Sequence, residues 1–351
     1  MGQRDRTLDI FRGFGILFVV LGHIYQTPMM IRLWVCTFHM PLFFMCSGML
    51  FSVDRYNGFM NFLKKKLQTL VLPYFCLSLS LWGLMNLRAL AMVKLGITGG
   101  YFLSDVRQMV LAILLSDRMH DHYFSLWFVC ALFLSELLFY PIIRYGGKNT
   151  YAIGAVAIGM NFVQCLLSHY IQGGIWSFDL VPTCISFMAV GFLMQKHKGV
   201  VKHLIKPWVF VICLGLNIIF AVLNTRVLDG GYTALFYGQL GHPVWYFMAA
   251  LTGAMAVFIF SSLAERLVVT EFFGRNSLVI YAFQNSLAIP AANDLFGMAV
   301  ARNEIFKDNV LQWIFVVAVT LAITSALSWM INHLTPWMLG RFPKKKPAVS
   351  K

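Results

Sequence analysis

The chain has 351 residues, of which 59% are hydrophobic and only 12% are charged. A soluble domain uses about 25% charged residues, so this composition excludes an ordinary soluble protein and predicts one that lies in a membrane. The net charge of +14 does not indicate a nucleic-acid partner, because the basic residues are concentrated on one side of the predicted spans. The seven cysteines lie in apolar runs without CxxC spacing, so neither a metal site nor a disulfide framework is predicted.

Hydrophobic runs as long as a bilayer span recur along nearly the whole chain. They predict an all-α integral membrane protein with about ten transmembrane helices. We expect the spans at about residues 9–28, 34–53, 73–92, 122–143, 150–169, 178–195, 207–224, 241–262, 276–292 and 309–338. Residues 1–343 then form one transmembrane domain, and residues 344–351 form a short basic cytoplasmic tail.

Lysine and arginine are concentrated in every second segment between the predicted spans. The clusters "FLKKK" (62–66) and "RFPKKK" (341–346) fall on the same side as the N-terminus when ten spans are assumed. Because cytoplasmic segments carry the excess of lysine and arginine, both termini are predicted in the cytoplasm of a multi-pass protein of the cell membrane. Two longer loops on the opposite side, about 93–121 and 293–308, are candidates for contact with an external substrate.

The first predicted span contains "RGFGILFVVLGH", which carries Arg12 at one end and His23 at the other. These residues are 11 positions apart, so they lie on one helix face about 16 Å apart along the axis. Ionisable groups within a span face protein or a water-filled cavity and often mark a functional path. Arg12 is expected near the cytoplasm, with Asp9 placed to pair with it, and His23 toward the outer leaflet. The alternatives are a snorkelling anchor for Arg12 and a His23 satisfied by a backbone carbonyl.

The second predicted span contains "FHMPLFFMCSGMLF" and enters from the outside. His39 is expected at the same depth as His23, with the two imidazoles facing each other. Pro41 predicts a kink, and Ser47 and Gly48 predict a close approach to another helix. Together these residues indicate a polar pocket that is reached from outside.

Charged residues also accompany the third and fourth spans. Lys64, Lys65 and Lys66 are explained either by contact with anionic lipids or by binding of phosphate. Glu136 lies inside the fourth span, where we expect it to be protonated or, for structural reasons, paired with Arg88 or a histidine.

Five segments in order resemble the acyltransferase family 3 membrane proteins, and more closely the fucose-4-O-acetylase-like subgroup. They are "RTLDIFRGFGILFVVLGH", "FHMPLFFMCSGMLF", "KKLQTLVLPYF", "LWFVCALFLSELLFY" and "FFGRNSLVIY", spread over residues 6–281. The resemblance implies a ten-helix bundle that takes an acyl group from cytoplasmic acyl-CoA, usually acetyl-CoA. It delivers this group to a hydroxyl of a glycan outside the membrane, which makes it a membrane-bound O-acyltransferase.

The resemblance also implies roles for individual residues. His23 matches the motif histidine, a general base or transient acyl carrier, and Arg12 matches the arginine that holds CoA phosphate or the region of the acyl carbonyl. We assign His39 to the same catalytic group. The donor-binding segment matches Lys64 to Lys66, followed by Tyr74. Relatives often carry arginine there, and lysine lacks its bidentate geometry.

The chemistry requires a base for the attacking hydroxyl and donors for the oxyanion of the tetrahedral intermediate. Trp127, Asn276 and Ser277 are candidate donors, with packing and helix capping as alternatives for Trp127 and Asn276. The residues predicted to line the substrate pocket are Asp9, Ser47, Trp127, Asn276, Ser277 and Tyr281. At Gln284 the family often has a histidine, so the ninth span departs from the family pattern.

Two other functions are compatible with these features. A secondary transporter or glycan exporter would also have many spans and intramembrane His and Glu, but its usual pair of repeated halves is not seen. A non-catalytic assembly partner is the third hypothesis. We take O-acyl transfer to an extracytoplasmic glycan or lipid-linked sugar as the leading hypothesis, carried out directly or completed by a separate partner protein.

Overall fold

The computed structural model describes residues 5–96, 106–116, 126–171, 173–264, 266–300 and 309–342, without the side chains of Gln108 and His169. Within these ranges the chain is helical, and the β-bridge between Ala234 and Gln239 belongs to a loop. The predicted all-α fold class is therefore confirmed. The basic tail 344–351 lies outside the described residues, as do 97–105, 117–125 and 301–308 of the two long loops.

The α-helices follow one another in chain order with short connections. They are α1 (Arg6–His23), α2 (Met29–Val35), α3 (His39–Leu50), α4 (Phe59–Lys66), α5 (Leu72–Lys94), α6 (Val106–Leu115), α7 (Trp127–Gly146), α8 (Thr150–Tyr170), α9 (Val181–Lys196), α10 (Lys198–His203), α11 (Pro207–Val227), α12 (Pro243–Leu263), α13 (Val268–Arg275), α14 (Ser277–Phe283), α15 (Ile289–Val300) and α16 (Asn309–Leu334). Two π-helical turns, Leu67–Val71 and Gln284–Ala288, connect α4 to α5 and α14 to α15.

Eight helical segments of the described residues are long and apolar enough to cross a membrane, and each overlaps a predicted span. The other two predicted spans coincide with α1 and with α14–α15. Arg6, Asp9 and Arg12 interrupt the apolar character of α1. In α14–α15 it is interrupted by the polar pairs Gln284–Asn285 and Asn293–Asp294. The chain is a multi-pass membrane protein, while the count of ten and the sides of the termini stay predictions.

The second span is divided into two helices. α2 ends at Val35 and α3 begins at His39, so Pro41 lies in the first turn of α3, where a helix makes no use of a backbone N–H. The hydroxyl of Thr37 donates to the carbonyl of Trp34 at 2.7 Å within the break. Pro41 therefore accompanies a helix start, and the break places His39 at the N-terminal end of α3.

Glycines bring two helix pairs into backbone contact. A Cβ built on Gly13 of α1 would lie 2.0 Å from the carbonyl oxygen of Thr270 in α13. In α3 and α9 the contact is reciprocal, since a Cβ on Gly48 would lie 2.0 Å from the oxygen of Met188 and one on Gly191 would lie 1.9 Å from that of Met45. Small residues allow such contacts in membrane bundles, so the close approach predicted at Gly48 is confirmed.

Gly191→Ala is expected to destabilise the bundle by about 1–3 kcal/mol, because α3 and α9 must separate to admit the methyl group. Gly154→Ala in α8 is the matched control, since a Cβ there meets nothing within 4 Å and alanine favours the helix. Thermal unfolding in detergent should show a lower Tm for Gly191→Ala alone. Equal Tm values for the two variants would contradict the packing described.

The bundle has a buried centre and an apolar periphery. In the segment Ile175–Lys196, which contains α9, 78% of the most apolar window is buried, against 17% in α11. Fully buried rings such as Phe11, Phe44 and Phe187 fill the centre. A long helix with an exposed apolar surface suits a lipid environment, so α11 lies at the lipid-facing edge and α1, α3 and α9 surround the interior.

Candidate active site

A cavity of about 240 Å³ opens at the end of α1 that carries His23. We call it the histidine cavity. Six parts of the chain line it, namely Gly22–His23, Cys36 with His39–Met40, Leu81, Leu126–Trp127, Tyr232–Tyr237, and Tyr281–Ala282 with Gln284–Ser286. Both imidazoles predicted from the sequence therefore border the same space.

Each of the two imidazoles is oriented by a carbonyl one helical turn before it. Nδ1 of His23 lies 2.8 Å from the oxygen of Val19, and Nδ1 of His39 lies 2.8 Å from the oxygen of Val35. Since a carbonyl can only accept, Nδ1 carries the proton in each neutral ring, which leaves the lone pair of Nε2 for another partner. His23 is exposed in the cavity and His39 is buried, so His23 has the more accessible ring.

The ring of His39 lies beside the end of α1 that carries His23. A Cβ built on Gly22 would lie 3.9 Å from Cε1 of His39, so the His39 ring packs against the last turn of α1. His23 is the final residue of that helix.

Gln284 contributes an amide to the histidine cavity. It begins the π turn Gln284–Ala288, is 1% exposed, and its Oε1 has no hydrogen-bond partner among the described residues. A buried amide without a partner is costly. The carboxamide thus retains hydrogen-bonding capacity inside the histidine cavity.

A second cavity, of about 340 Å³, lies farther toward the start of α1. We call it the cationic cavity because Arg12, Arg55 and Lys66 line it together with a single carboxylate, Glu136. Lys66 and Glu136 form an ion pair at 2.7 Å. The Nε of Arg12 donates to the Sγ of Cys46 at 3.1 Å. This surplus of positive charge is complementary to an anion such as a phosphate.

The two cavities share part of their lining. Met40 and Tyr281 border both of them. The Tyr281 hydroxyl oxygen accepts the backbone N–H of Phe128 at 3.2 Å, which fixes the ring at the boundary. The side chains of Met40 and Tyr281 are thus common to the walls of the two cavities.

Most residues predicted for the site lie in these cavities. The histidine cavity contains His23, His39, Trp127 and Tyr281, and the cationic cavity contains Arg12, Ser47, Lys66, Ser277 and Tyr281. Ser277 therefore lies on the side of the cations, whereas Trp127 lies on the side of the histidines.

Asp9 has a structural partner in another helix. Its Oδ2 accepts from Nε of Arg275 at 3.0 Å, and Arg275 also pairs with Glu271 at 2.9 Å. Asp9 lines neither cavity, because the ion pair ties it to α13 at the contact between Gly13 and Thr270. The role of Asp9 in the substrate pocket stays a prediction.

Asn276 and Tyr74 also lie outside the two cavities. The Asn276 amide donates to the carbonyl of Phe272 at 2.8 Å and accepts from Asn332 at 2.7 Å, so it joins α13 to α16. Tyr74 is 1% exposed, and its hydroxyl donates to the carbonyl of Ile113 at 2.6 Å. Neither lines the two cavities.

Two charge pairings differ from those expected. Arg88 donates to Asp294, and Glu136 pairs with Lys66, so the alternative of an Arg88–Glu136 pair is wrong. Of the three lysines, Lys64 and Lys65 are exposed and only Lys66 reaches the cationic cavity. The lysine segment is thereby divided between the protein surface and the site.

The sequence reasoning missed Arg55 and the loop between α11 and α12. Arg55 follows the second span directly, and its proximity to Lys66 in sequence was a usable signal. The loop contains "GGYTALFYGQLGH" (230–242), in which glycines and exposed aromatics stand between two spans. Such composition is typical of a binding loop.

The structure thus defines a helical membrane protein with a cationic cavity and a histidine cavity that share part of their lining. Residues 5–329 match the family model described as "Acyltransferase domain", and the chain therefore belongs to acyltransferase family 3, as its motifs predict. It is similar to the nodulation protein NolL of Mesorhizobium japonicum (strain LMG 29417 / CECT 9101 / MAFF 303099). The two are 23% identical over 313 residues, 81% of this chain and 77% of NolL. No solved structure matches.

Proposed function

We propose that the protein transfers an acyl group, acetyl in the simplest case, from cytoplasmic acyl-CoA to a sugar hydroxyl of an extracytoplasmic glycan. The donor occupies the cationic cavity, and the acceptor hydroxyl enters the histidine cavity. The observation that carries this proposal is the common boundary of the two cavities at Met40 and Tyr281, since a thioester and a hydroxyl must meet at one point.

The charge distribution supports the assignment of the donor. CoA carries several phosphates, and Arg12, Arg55 and Lys66 supply cations on the side predicted to be cytoplasmic. The apolar part of the lining of the cationic cavity, which includes Phe43 and Phe128, suits the flexible arm of CoA that carries the thioester. The arm would point toward Met40 and Tyr281.

The geometry of His23 supports its assignment as the base. Because Nδ1 is held by Val19, Nε2 can remove the proton of the acceptor hydroxyl as its oxygen adds to the thioester carbonyl. The resulting tetrahedral intermediate collapses with cleavage of the C–S bond, and the imidazolium returns the proton to the thiolate. The products are a sugar ester and CoA. In the alternative, Nε2 attacks the thioester carbonyl and the C–S bond breaks with release of the CoA thiolate. The acceptor hydroxyl then displaces the imidazole from the acyl group and loses its proton.

The boundary residues supply the remaining elements of the reaction. The Tyr281 oxygen accepts the N–H of Phe128, so its own O–H can donate to the oxyanion. The carboxamide of Gln284 lies in the same cavity. Donors that meet the charge formed in the transition state are the usual source of rate in acyl transfer.

Met40→Ala is expected to widen the acyl chain range, because Met40 is 5% exposed and narrows the boundary that the acyl group crosses. Removing the side chain should raise the ratio of the rate with butyryl-CoA to the rate with acetyl-CoA by about ten-fold. This corresponds to a change of roughly 1.4 kcal/mol in the difference between the activation free energies of the two reactions. Met92→Ala in α5 is the matched control, as Met92 is 7% exposed and lines neither cavity. Unchanged chain preference in Met40→Ala would contradict passage at this point.

The proposed function is tested in vesicles that hold the purified protein in a single orientation. Labelled acetyl-CoA is supplied on the side of Arg12, and methyl pyranosides are supplied on the side of His23. We expect labelled sugar esters on the second side. No ester, or equal yield when acetyl-CoA is supplied only on the side of His23, would contradict the proposal.

A further inference from the structure

We propose that the loop between α11 and α12 binds a sugar ring of the acceptor, next to the ring that is acylated. This inference rests on the proposed function and identifies where the acceptor is recognised. A groove of about 260 Å³ is lined by Leu228, Gly231, Tyr232, Tyr237 and Gln239. We call it the tyrosine groove.

The tyrosine groove adjoins the histidine cavity. Tyr232 and Tyr237 line both of them, so a ligand in the groove is continuous with one beside His23. Phe236, between these tyrosines, packs edge-on against Trp127 with ring centroids 6.1 Å apart and against Tyr237 at 4.9 Å. A row of aromatic rings therefore leads from the groove to the cavity wall.

The side chains of the groove have the chemistry of a sugar site. Tyr232 and Tyr237 are each 38% exposed, and their rings offer apolar faces to the C–H face of a pyranose while their hydroxyls remain polar. Gln239 adds an amide that can donate to and accept from sugar hydroxyls. No charged side chain lines the groove, so the chemistry matches a neutral sugar better than a phosphate.

The loop is held rigid by one buried side chain. Asn224, at 0% exposed, donates to the hydroxyl of Thr233 at 3.0 Å and to the carbonyl of Leu240 at 2.9 Å, and it accepts the N–H of His242 at 3.0 Å. Gly241 has φ +76°, and a Cβ there would lie 2.5 Å from Oδ1 of Asn224. These contacts fix the loop from the end of α11.

Two backbone hydrogen bonds pair residues within the loop that carries the two tyrosines. Ala234 N–H donates to the carbonyl of Gln239 at 2.9 Å, and Gln239 N–H donates back at 3.1 Å. The short turn between them closes at Gly238, which has φ +70°. Because the loop is preorganised, little ordering entropy is lost when a sugar binds.

The test uses the oriented vesicles with methyl pyranosides as acceptors and 1-propanol as an acceptor without a ring. Tyr232→Ala and Tyr237→Ala should each raise the KM for the best pyranoside by about five- to ten-fold, the usual scale for loss of an aromatic contact. The KM for acetyl-CoA should stay at the wild-type value, and kcat/KM should fall less with 1-propanol than with the pyranoside, because 1-propanol has no ring to bind. Tyr232→Phe and Tyr237→Phe should retain the low KM, since they keep the ring.

Tyr170→Ala is the matched control, because Tyr170 is 84% exposed at the end of α8 and lines none of the three spaces. Wild-type KM values for pyranosides in both alanine variants, or an equal loss with 1-propanol, would overturn this inference and leave the proposed function intact. If the wild type transfers no acetyl group, the proposed function fails instead. Saturation-transfer NMR with the same pyranosides then decides whether the tyrosine groove binds sugar.

Discussion

Replacing His23 with alanine is expected to lower kcat for acetyl transfer by about 10²–10⁴-fold, the range supplied by a general base. The expectation follows from the position of the ring. It ends α1, its Nδ1 is held by Val19 at 2.8 Å, and it faces the histidine cavity. Binding of acetyl-CoA should be unchanged, because His23 does not line the cationic cavity.

His333→Ala is the matched control for this substitution. Nδ1 of His333 also lies 2.8 Å from the carbonyl four residues earlier, that of Trp329, but the residue lies outside both cavities. Its variant should retain wild-type kcat and Tm. Full activity in His23→Ala, or equal loss in His333→Ala, would contradict a specific role for His23. Label that remains on the wild-type protein without an acceptor would favour the acyl-carrier route over direct attack.

Local periodicity was sufficient to predict the helix and the face that carries Arg12 and His23. A helix repeats every 3.6 residues, so two side chains 11 positions apart lie on the same helix face. This relation does not depend on how the other helices pack. The composition of Gly48 with Ser47 likewise predicted a close helix contact, because only small residues admit it. These predictions depend on properties within one helix.

Contacts between distant segments could not be predicted in the same way. Asp9 attracts the charge of Arg12 one turn away, but its ion pair is with Arg275, 266 positions away, because the contact between α1 and α13 brings that guanidinium close. Glu136 meets Lys66 for the same kind of reason. Charge and spacing identify the groups that need partners, whereas the packing of the helices selects the partners.

The side chains that border both cavities could not be predicted from the sequence either. Met40 is an ordinary apolar residue in sequence, and Tyr281 ends a motif without any sign that it faces two spaces. Their shared position arises where α3 and α14 approach the same point from different parts of the chain. The sequence predicts a cationic group and a histidine group, and the fold determines which side chains border both cavities.

Arg12→Ala is expected to raise the KM for acetyl-CoA by about 10- to 100-fold, because a hydrogen bond to a charged group contributes about 1.5–3 kcal/mol. The Arg12 guanidinium lines the cationic cavity and is anchored through Nε to Cys46 at 3.1 Å. The terminal nitrogens are then directed by a fixed Nε, which suits bidentate contact with phosphate. Arg12→Lys should recover only part of the loss, since lysine keeps the charge without the fork.

An acetyl donor without the phosphates of CoA shows whether Arg12 contacts the phosphates or another part of the donor. The KM for acetyl-pantetheine should be high, and it should be equal in the wild type and in Arg12→Ala. The KM for acetyl-CoA should be higher in Arg12→Ala than in the wild type. Arg6→Ala is the matched control, because Arg6 is exposed in the first turn of the same helix and lines neither cavity. An equal penalty with both donors would place Arg12 at the acyl carbonyl instead. A loss of Tm without any change in the KM for acetyl-CoA would make it a structural anchor, as the snorkelling alternative predicts.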